Sequence, residues 1–173
     1  MALTLRKEGL EMKTAAVIEK MIKYSEGNLH DIAHFMKVWG FAKILGEMED
    51  LDPAQQELVE ITAIVHDIAC PLCREKYGSC PGNLQEQEGP DLVRAFLEEF
   101  VFSSKFVERV CWLVGHHHTY DSVDGIDYQI LLEADFLVNA DEGKASPEAI
   151  REMYEKVFRT HGGRKLLKAM YNI

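Results

Sequence analysis

The segment from Asp52 to Cys70 constrains the fold most, because it combines a strong helix start with a long helical apolar stripe. Asp52 is a good N-cap, Pro53 suits the first helical position, and Gln55 stands three residues after the cap. Apolar residues then recur at positions 61, 64, 65 and 68. The pattern predicts a helix that buries one face and ends at Cys70, since Pro71 disfavours helical geometry in the residue before it.

His66 and Asp67 interrupt this apolar face where burial is expected to be deepest. Burying an imidazole and a carboxylate side by side costs several kcal/mol unless the groups are paired or bind a metal. Consecutive helix residues point about 100° apart, so the two side chains share one cation only if other helices supply further ligands. The rest of the chain must therefore be searched for those ligands.

Apolar stripes at helical spacing recur along the rest of the chain, and no segment shows the sustained alternation of a strand. The sequence therefore predicts an all-α, single-domain helical bundle over residues 1–173, with about seven helices around one core. The C-terminal helices within 147–173 have uninterrupted stripes and are expected to be scaffold. The stripes occupy residues 14–25, 29–45, 90–102, 104–115, 128–140 and 147–158, with a short one at 166–171.

Residues 71–90 are rich in proline and glycine and predict a long irregular connection. Loops of this length in a compact domain are often functional. Because the segment leaves directly from the histidine–aspartate pair, a lid over a site is expected. Within it, Cys70, Cys73 and Cys80 have a spacing compatible with zinc, but no fourth ligand is evident nearby, and ordinary reduced thiols are the favoured interpretation.

Composition excludes several classes of partner. The 173-residue chain has a formal net charge of −10, so it would repel a duplex phosphate backbone over most of its surface, and bulk nucleic acid is not expected as a partner. No uncharged apolar run reaches 18 residues and the N-terminus does not resemble a signal peptide, so no membrane association and a cytoplasmic location are expected. Its four cysteines would then be reduced.

Two further polar residues lie on apolar helical faces. His34 borders the stripe of the second predicted helix, and Asp135 stands where a core leucine would be expected in a later one. Each has an ordinary explanation when taken alone, as a hydrogen-bonded histidine or a buried ion pair. Together with His66 and Asp67 they make two imidazoles and two carboxylates, a set that suits a divalent first-row transition metal.

The order of these residues and the sequence around them resemble the HD superfamily of metal-dependent phosphohydrolases. The resemblance spans about residues 28–140. The matching segments are 34–38 (HFMKV), 63–68 (AIVHDI) and 133–137 (EADFL). It implies a metal site made of His34, His66, Asp67 and Asp135.

The resemblance also bears on the run His116-His117-His118, which otherwise would be a solvated surface feature. Relatives with several metals have a His-His pair before an aspartate-rich turn, and His116 and His117 fit that position. They also have a histidine where this chain has Gln85, so one metal ion is expected and a second is disfavoured. The expected ion is a divalent transition metal, with Mn, Fe, Co, Ni and Zn not distinguished.

The implied activity is hydrolysis of a phosphate ester of a small molecule, such as a nucleotide or a related phosphate. Asp67, His116 and His117 are the expected catalytic residues, and His117 and Lys144 are expected to bind the substrate. Some subfamilies place a catalytic Lys or Glu where this chain has Cys70, so the group that transfers the proton is not assigned.

Two alternatives remain open. The Gln85 and Cys70 departures are compatible with a metal-binding regulatory or interaction module that has no turnover. Some relatives perform oxygenase chemistry with two irons, and Gln85 argues against that interpretation.

Overall fold

The computed structural model describes the backbone of residues 2–173 and the side chains of residues 13–173. Its described part is all helical and contains no strand, which confirms the predicted fold class. The nine helices there are α1 (Ala2–Tyr24), α2 (Leu29–Met48), α3 (Pro53–Val65), α4 (Cys70–Tyr77), α5 (Gly82–Leu97), α6 (Ser104–Val114), α7 (Ile126–Glu142), α8 (Pro147–Lys156) and α9 (His161–Tyr171). None of these helices is long and apolar enough to cross a membrane.

Most helix starts follow from local sequence. Asn28 caps α2, Ser103 caps α6 and Ser146 caps α8, each through a side-chain oxygen that accepts from backbone N–H groups of the first turn. At the start of α3 the full capping box between Asp52 and Gln55 is present. The predicted start of α3 is therefore confirmed, and α2, α6 and α8 begin where their predicted apolar stripes begin.

The predicted end of the central helix was wrong. Helix α3 ends at Val65, and residues 66–69 form a turn before α4 begins at Cys70. In that turn the amide of Ile68 donates to the carbonyl of Val65 and the amide of Cys70 to that of Asp67, which are three-residue rather than four-residue steps. Pro71 lies in the first turn of α4, where its missing N–H costs nothing. His66 and Asp67 therefore occupy a break between two helices.

The segment 71–90 is not the irregular lid that its composition predicted. It forms α4 and the first half of α5, and Pro90 lies inside α5. Tertiary packing overrides the local signal, because Gly89 lets α5 approach α6 closely: a Cβ added at Gly89 would lie 2.7 Å from Cγ1 of Val114. Helix α4 was not among the predicted helical segments.

The structure also corrects the expectation that all four cysteines are reduced thiols. Cys70 and Cys80 form a disulfide with a Cα–Cα distance of 5.3 Å, which links the start of α4 to the residues before α5. Cys73 and Cys111 are free and buried. No three-cysteine zinc site is therefore formed.

A fully buried carboxylate joins the C-terminal helices to the rest of the bundle. Glu133 on α7 accepts hydrogen bonds from Gln129 Nε2 (2.7 Å), from the backbone amides of Arg159 (2.6 Å) and Thr160 (3.0 Å), and from the Thr160 hydroxyl. Four donors compensate the burial of this charge. The start of α9 is thereby fixed to α7.

The hydrophobic core consists of two clusters. One lies among α2, α3, α7 and the C-terminal helices and contains Leu45, Leu131 and Phe158. The other lies among α1, α2, α3, α5 and α6 and contains Phe35, Ile64 and Val114. Helices α2 and α3 contribute to both clusters, so the junction between the clusters lies along these two helices.

Candidate metal centre

Four polar side chains from three parts of the fold meet at this junction. His34 comes from α2, His66 and Asp67 from the turn after α3, and Asp135 from α7. His34, His66 and Asp135 are at most 6% exposed, whereas Asp67 is partly exposed. The His34 Nε2 atom lies 3.3 Å from His66 Nε2, 3.4 Å from Asp67 Oδ2 and 3.3 Å from Asp135 Oδ1; the His66 Nε2 atom lies 3.5 Å from Asp67 Oδ1 and 3.4 Å from Asp135 Oδ1.

The hydrogen bonds behind the two histidines direct both Nε2 atoms at this point. His34 Nδ1 lies 2.9 Å from Glu142 Oε2, and His66 Nδ1 lies 2.8 Å from the Ala63 carbonyl. Because these partners only accept, each Nδ1 carries a proton and donates it. In the neutral rings, both Nε2 lone pairs then face each other and two carboxylates with no donor between them.

A divalent cation fits this set of donors. Four donors placed tetrahedrally about 2.1 Å from one ion are about 3.4 Å apart. The His34 Nε2, His66 Nε2 and Asp135 Oδ1 atoms have this spacing, at 3.3 to 3.4 Å from one another. Asp67 adds one oxygen 3.4 Å from His34 Nε2 and the other 3.5 Å from His66 Nε2. Imidazole and carboxylate ligands suit first-row transition metals. Asn139, one turn after Asp135, donates to Asp135 Oδ1 at 2.8 Å and orients that carboxylate.

The same crowding shifts the pKa values of His34, Asp67 and Asp135 in the absence of an ion. Burial alone lowers the pKa of His34, but Asp135, Asp67 and Glu142 outweigh it and raise the value to about 9. Burial alone raises the pKa of Asp67 and Asp135, but the neighbouring histidines hold both well below the usual range. Without a metal, a proton on His34 therefore offsets part of the negative charge of the two carboxylates.

The histidine run is arranged differently from the expectation. His117 is buried, and its Nε2 atom lies 3.4 Å from Asp67 Oδ1. Ligand atoms of Asp67, His117 and His118 lie within 4.8 Å of one another. His116 instead stacks on Trp112, with a centroid distance of 4.2 Å. The structure therefore places His118, rather than His116, beside His117 and Asp67, and the predicted catalytic role of His116 stays a prediction.

His118 was missed by the sequence analysis. Its Nε2 atom is buried and has no hydrogen-bond partner among the described residues. Burial and the neighbouring His117 lower the pKa of His118 to about 4, so the ring is neutral at pH 7. The His118 ring packs closely against Gly82, the first residue of α5. A Cβ atom added at Gly82 would lie 2.6 Å from His118 Cγ, so the glycine makes room for the ring.

Gln85 lies beside His117, as its position in the sequence suggested. The side chain is buried, its Oε1 atom is 3.1 Å from His117 Nε2, and its Nε2 atom donates to the Cys80 carbonyl at 3.1 Å. The second bond fixes the amide so that oxygen faces His117. An amide oxygen therefore lies where a further nitrogen ligand would be needed for a second ion.

Within the described part of the chain, the Lys144 side chain makes no hydrogen bond or ion pair with this cluster. It is exposed, has a positive φ of 50°, and follows the end of α7 at Glu142. Among the described residues it forms no ion pair. Its expected role in binding substrate stays a prediction.

Comparison with known proteins places the chain in a family. The sequence model of the HD domain matches residues 31–150, a span that contains all four residues of the cluster. The chain therefore belongs to the HD domain family, which confirms the resemblance noted in the sequence. Its fold is similar to the crystal structure of a predicted HD superfamily hydrolase from an uncultured Thermotogales bacterium, with 23% sequence identity and a TM-score of 0.65 over 93% of this chain and 84% of that chain. No curated protein matches.

Proposed function

We propose that the protein is a metal-dependent hydrolase that cleaves a phosphate ester of a small molecule, with nucleotides and related phosphates as the substrate class. The observation that carries the proposal is the cluster of two Nε2 atoms and two carboxylates at separations of 3.3 to 3.5 Å. Such a set is costly to bury without a cation. Family membership supports the same chemistry, since HD domains bind divalent metals.

In this proposal His34, His66, Asp67 and Asp135 hold one divalent ion. The ion supplies Lewis-acid chemistry, stabilising negative charge on phosphoryl oxygens and lowering the pKa of water. Asp67 has a special place among the four, because Oδ2 faces His34 while Oδ1 faces His66 and His117. Its partial exposure also makes this carboxylate the member of the set that is nearest to an incoming substrate.

His117 is the proposed proton donor to the leaving oxygen. Its Nδ1 atom donates to the Val114 carbonyl at 2.7 Å, and its Nε2 atom faces acceptors on Asp67 and Gln85. Burial lowers the pKa of His117, but Asp67 and Asp135 raise it more, which favours the protonated ring that a general acid requires. A buried donor beside the cluster suits general acid catalysis. His118 Nε2, which is buried and has no partner among the described residues, is a second candidate for contact with the substrate phosphate.

The experiment is a metal and phosphatase analysis of wild type and three alanine variants. Protein loaded separately with Mn, Fe, Co, Ni or Zn is assayed for phosphate release from nucleotide and sugar monophosphates, and its metal content is measured. Wild type is expected to hold one ion and release phosphate. His66→Ala should lose metal and activity together, whereas His117→Ala should keep the metal and lose roughly 10²- to 10⁴-fold in rate.

His161→Ala is the matched control, since this exposed histidine lies at the start of α9. This variant should leave the metal content and the rate of phosphate release unchanged. Retention of full activity by the metal-free His66→Ala variant would refute the proposal. Loss of metal in His117→Ala would move His117 into the ligand set.

A second candidate is a metal-binding regulatory module without turnover. Two observations favour it: Gln85 is hydrogen-bonded to His117, and Cys70, where some relatives have a catalytic lysine or glutamate, is in a disulfide. The same screen separates the two functions. One bound ion with no release from any phosphate ester would select the regulatory module.

A further inference from the structure

The outer edge of the His34 ring is held by a charged side chain from another helix. Glu142 is the last residue of α7, and its Oε2 atom lies 2.9 Å from His34 Nδ1. Asp135 lies on the same helix and faces the opposite edge of the ring, with Oδ1 3.3 Å from Nε2. Positions 135 and 142 are seven residues apart, so they share one face of α7 two turns apart. Helix α7 therefore contacts both nitrogens of His34.

Glu142 is itself fixed from α2. Lys37, one turn after His34, places Nζ 3.0 Å from Glu142 Oε1. The two oxygens of one carboxylate thus bind an imidazole and an ammonium group on the same helix. The Glu142 side chain is only 16% exposed, which limits the screening of these contacts by water.

The hydrogen-bond acceptor of Nδ1 in His34 differs from the acceptors of Nδ1 in the other two buried histidines. His66 and His117 each direct Nδ1 to a backbone carbonyl of their own turn, Ala63 and Val114 respectively. Those carbonyls are part of the local chain and carry no net charge. A carboxylate is a stronger acceptor than a carbonyl and increases the basicity of the nitrogen on the far side of the ring.

We infer that Glu142 is a positioning residue for the cation site, and that Lys37 holds it in place. The carboxylate fixes the proton of His34 on Nδ1, so that the lone pair of Nε2 faces Asp67 and Asp135. This inference rests on the metal centre of the proposed function. It assigns a role to a residue that does not touch the ion, and it accounts for the ion pair between α2 and α7.

The test measures the affinity of the protein for Co²⁺ by competition with a chromophoric chelator, together with the visible spectrum of the bound ion. Glu142→Ala should weaken Co²⁺ binding by about 10- to 100-fold and change the spectrum, because His34 is free to rotate or change tautomer. Glu142→Gln retains an oxygen that accepts from Nδ1 and should weaken binding less than the alanine variant does. Lys37→Met should have a smaller effect in the same direction.

Asp141→Ala is the matched control, because it removes the same charge from an exposed position in the same turn of α7. It should leave affinity and spectrum unchanged. Nitrogen NMR of the Zn²⁺-loaded protein should show His34 bound through Nε2 in wild type and a mixture of tautomers in Glu142→Ala. The tautomer of His34 reports on the positioning role of Glu142. Thermal melting of each metal-free variant measures any general loss of stability separately.

The outcomes distinguish this inference from the function on which it rests. If wild type binds no divalent ion, the metal centre and the role of Glu142 are both refuted. If wild type binds one ion, and Glu142→Ala binds it with the same affinity and spectrum, only the role of Glu142 is refuted. Equal weakening by Asp141→Ala would also refute it, since the effect would then come from general charge.

Discussion

Metal binding should be strongly coupled to pH, because a proton on His34 competes with the ion. The pKa of His34 is raised to about 9 in the metal-free protein by Asp135, Asp67 and Glu142, which outweigh burial. At pH 7 the ring is therefore protonated, and Nε2 has no lone pair to give. Because pH 7 lies about two units below this pKa, removing the proton from His34 costs about 2.7 kcal/mol at pH 7. The affinity for the metal ion is lowered by a factor of about 100.

The raised pKa of His34 determines the direction in which metal affinity changes with pH. Affinity should increase about tenfold for each pH unit from 6 to 8 and level off only as pH passes about 9. Titration calorimetry with Mn²⁺, in buffers of different ionisation enthalpy, should show about one proton released for each ion bound at pH 7. His161→Gln should leave the slope unchanged. An affinity that is constant between pH 6.5 and 8.5, with no proton release, would contradict the assignment of His34 as a ligand.

Three further predictions concern the surroundings of the site. Glu133→Ala removes the acceptor from several buried donors and should lower the free energy of unfolding, measured by urea denaturation, by about 3 to 5 kcal/mol. The control Glu155→Ala, at an exposed position, should change this free energy little. Equal effects of the two substitutions would contradict the buried network. Reducing the Cys70–Cys80 disulfide should cost about 3 kcal/mol of stability, given its short loop, and an unchanged melting temperature in reductant would oppose this. Gln85→His should raise the metal content from one ion to two, as measured by elemental analysis, and a count that stays at one would show that the amide does not block a second ion.

The parts of the fold that local chemistry controls were predictable from the sequence. Asn28, Asp52, Ser103 and Ser146 satisfy amides within one turn of themselves, so their capping roles do not depend on distant contacts. Asp135 could be singled out because a carboxylate on a buried stripe needs a partner. That His34, His66 and Asp67 are its neighbours came from the family resemblance, since periodicity alone gives no distance between helices.

The features that were missed depend on tertiary contacts or on turn geometry. Helix α5 continues through Pro90 because α6 packs against it at Gly89, and no local rule anticipates that contact. His118 rather than His116 joins His117 because side chains in the turn after α6 do not follow the helical period. Glu142 lies two turns after Asp135 on one face of α7, and this spacing was a usable signal in the sequence.

The position of the candidate centre between two hydrophobic clusters has a consequence for how the molecule unfolds. His34 precedes Phe35 of one cluster, and Asp135 lies among residues of the other. An ion bound to both side chains ties together two cores that otherwise meet mainly through α2 and α3. Metal binding should therefore raise the cooperativity of unfolding as well as the stability. The metal-loaded chain should melt in one transition. The metal-free chain should show a broader melt, in which helices α7 to α9 and helices α5 to α6 unfold at different temperatures. The metal would then act as a mechanical link within the fold, independent of any chemistry that it performs.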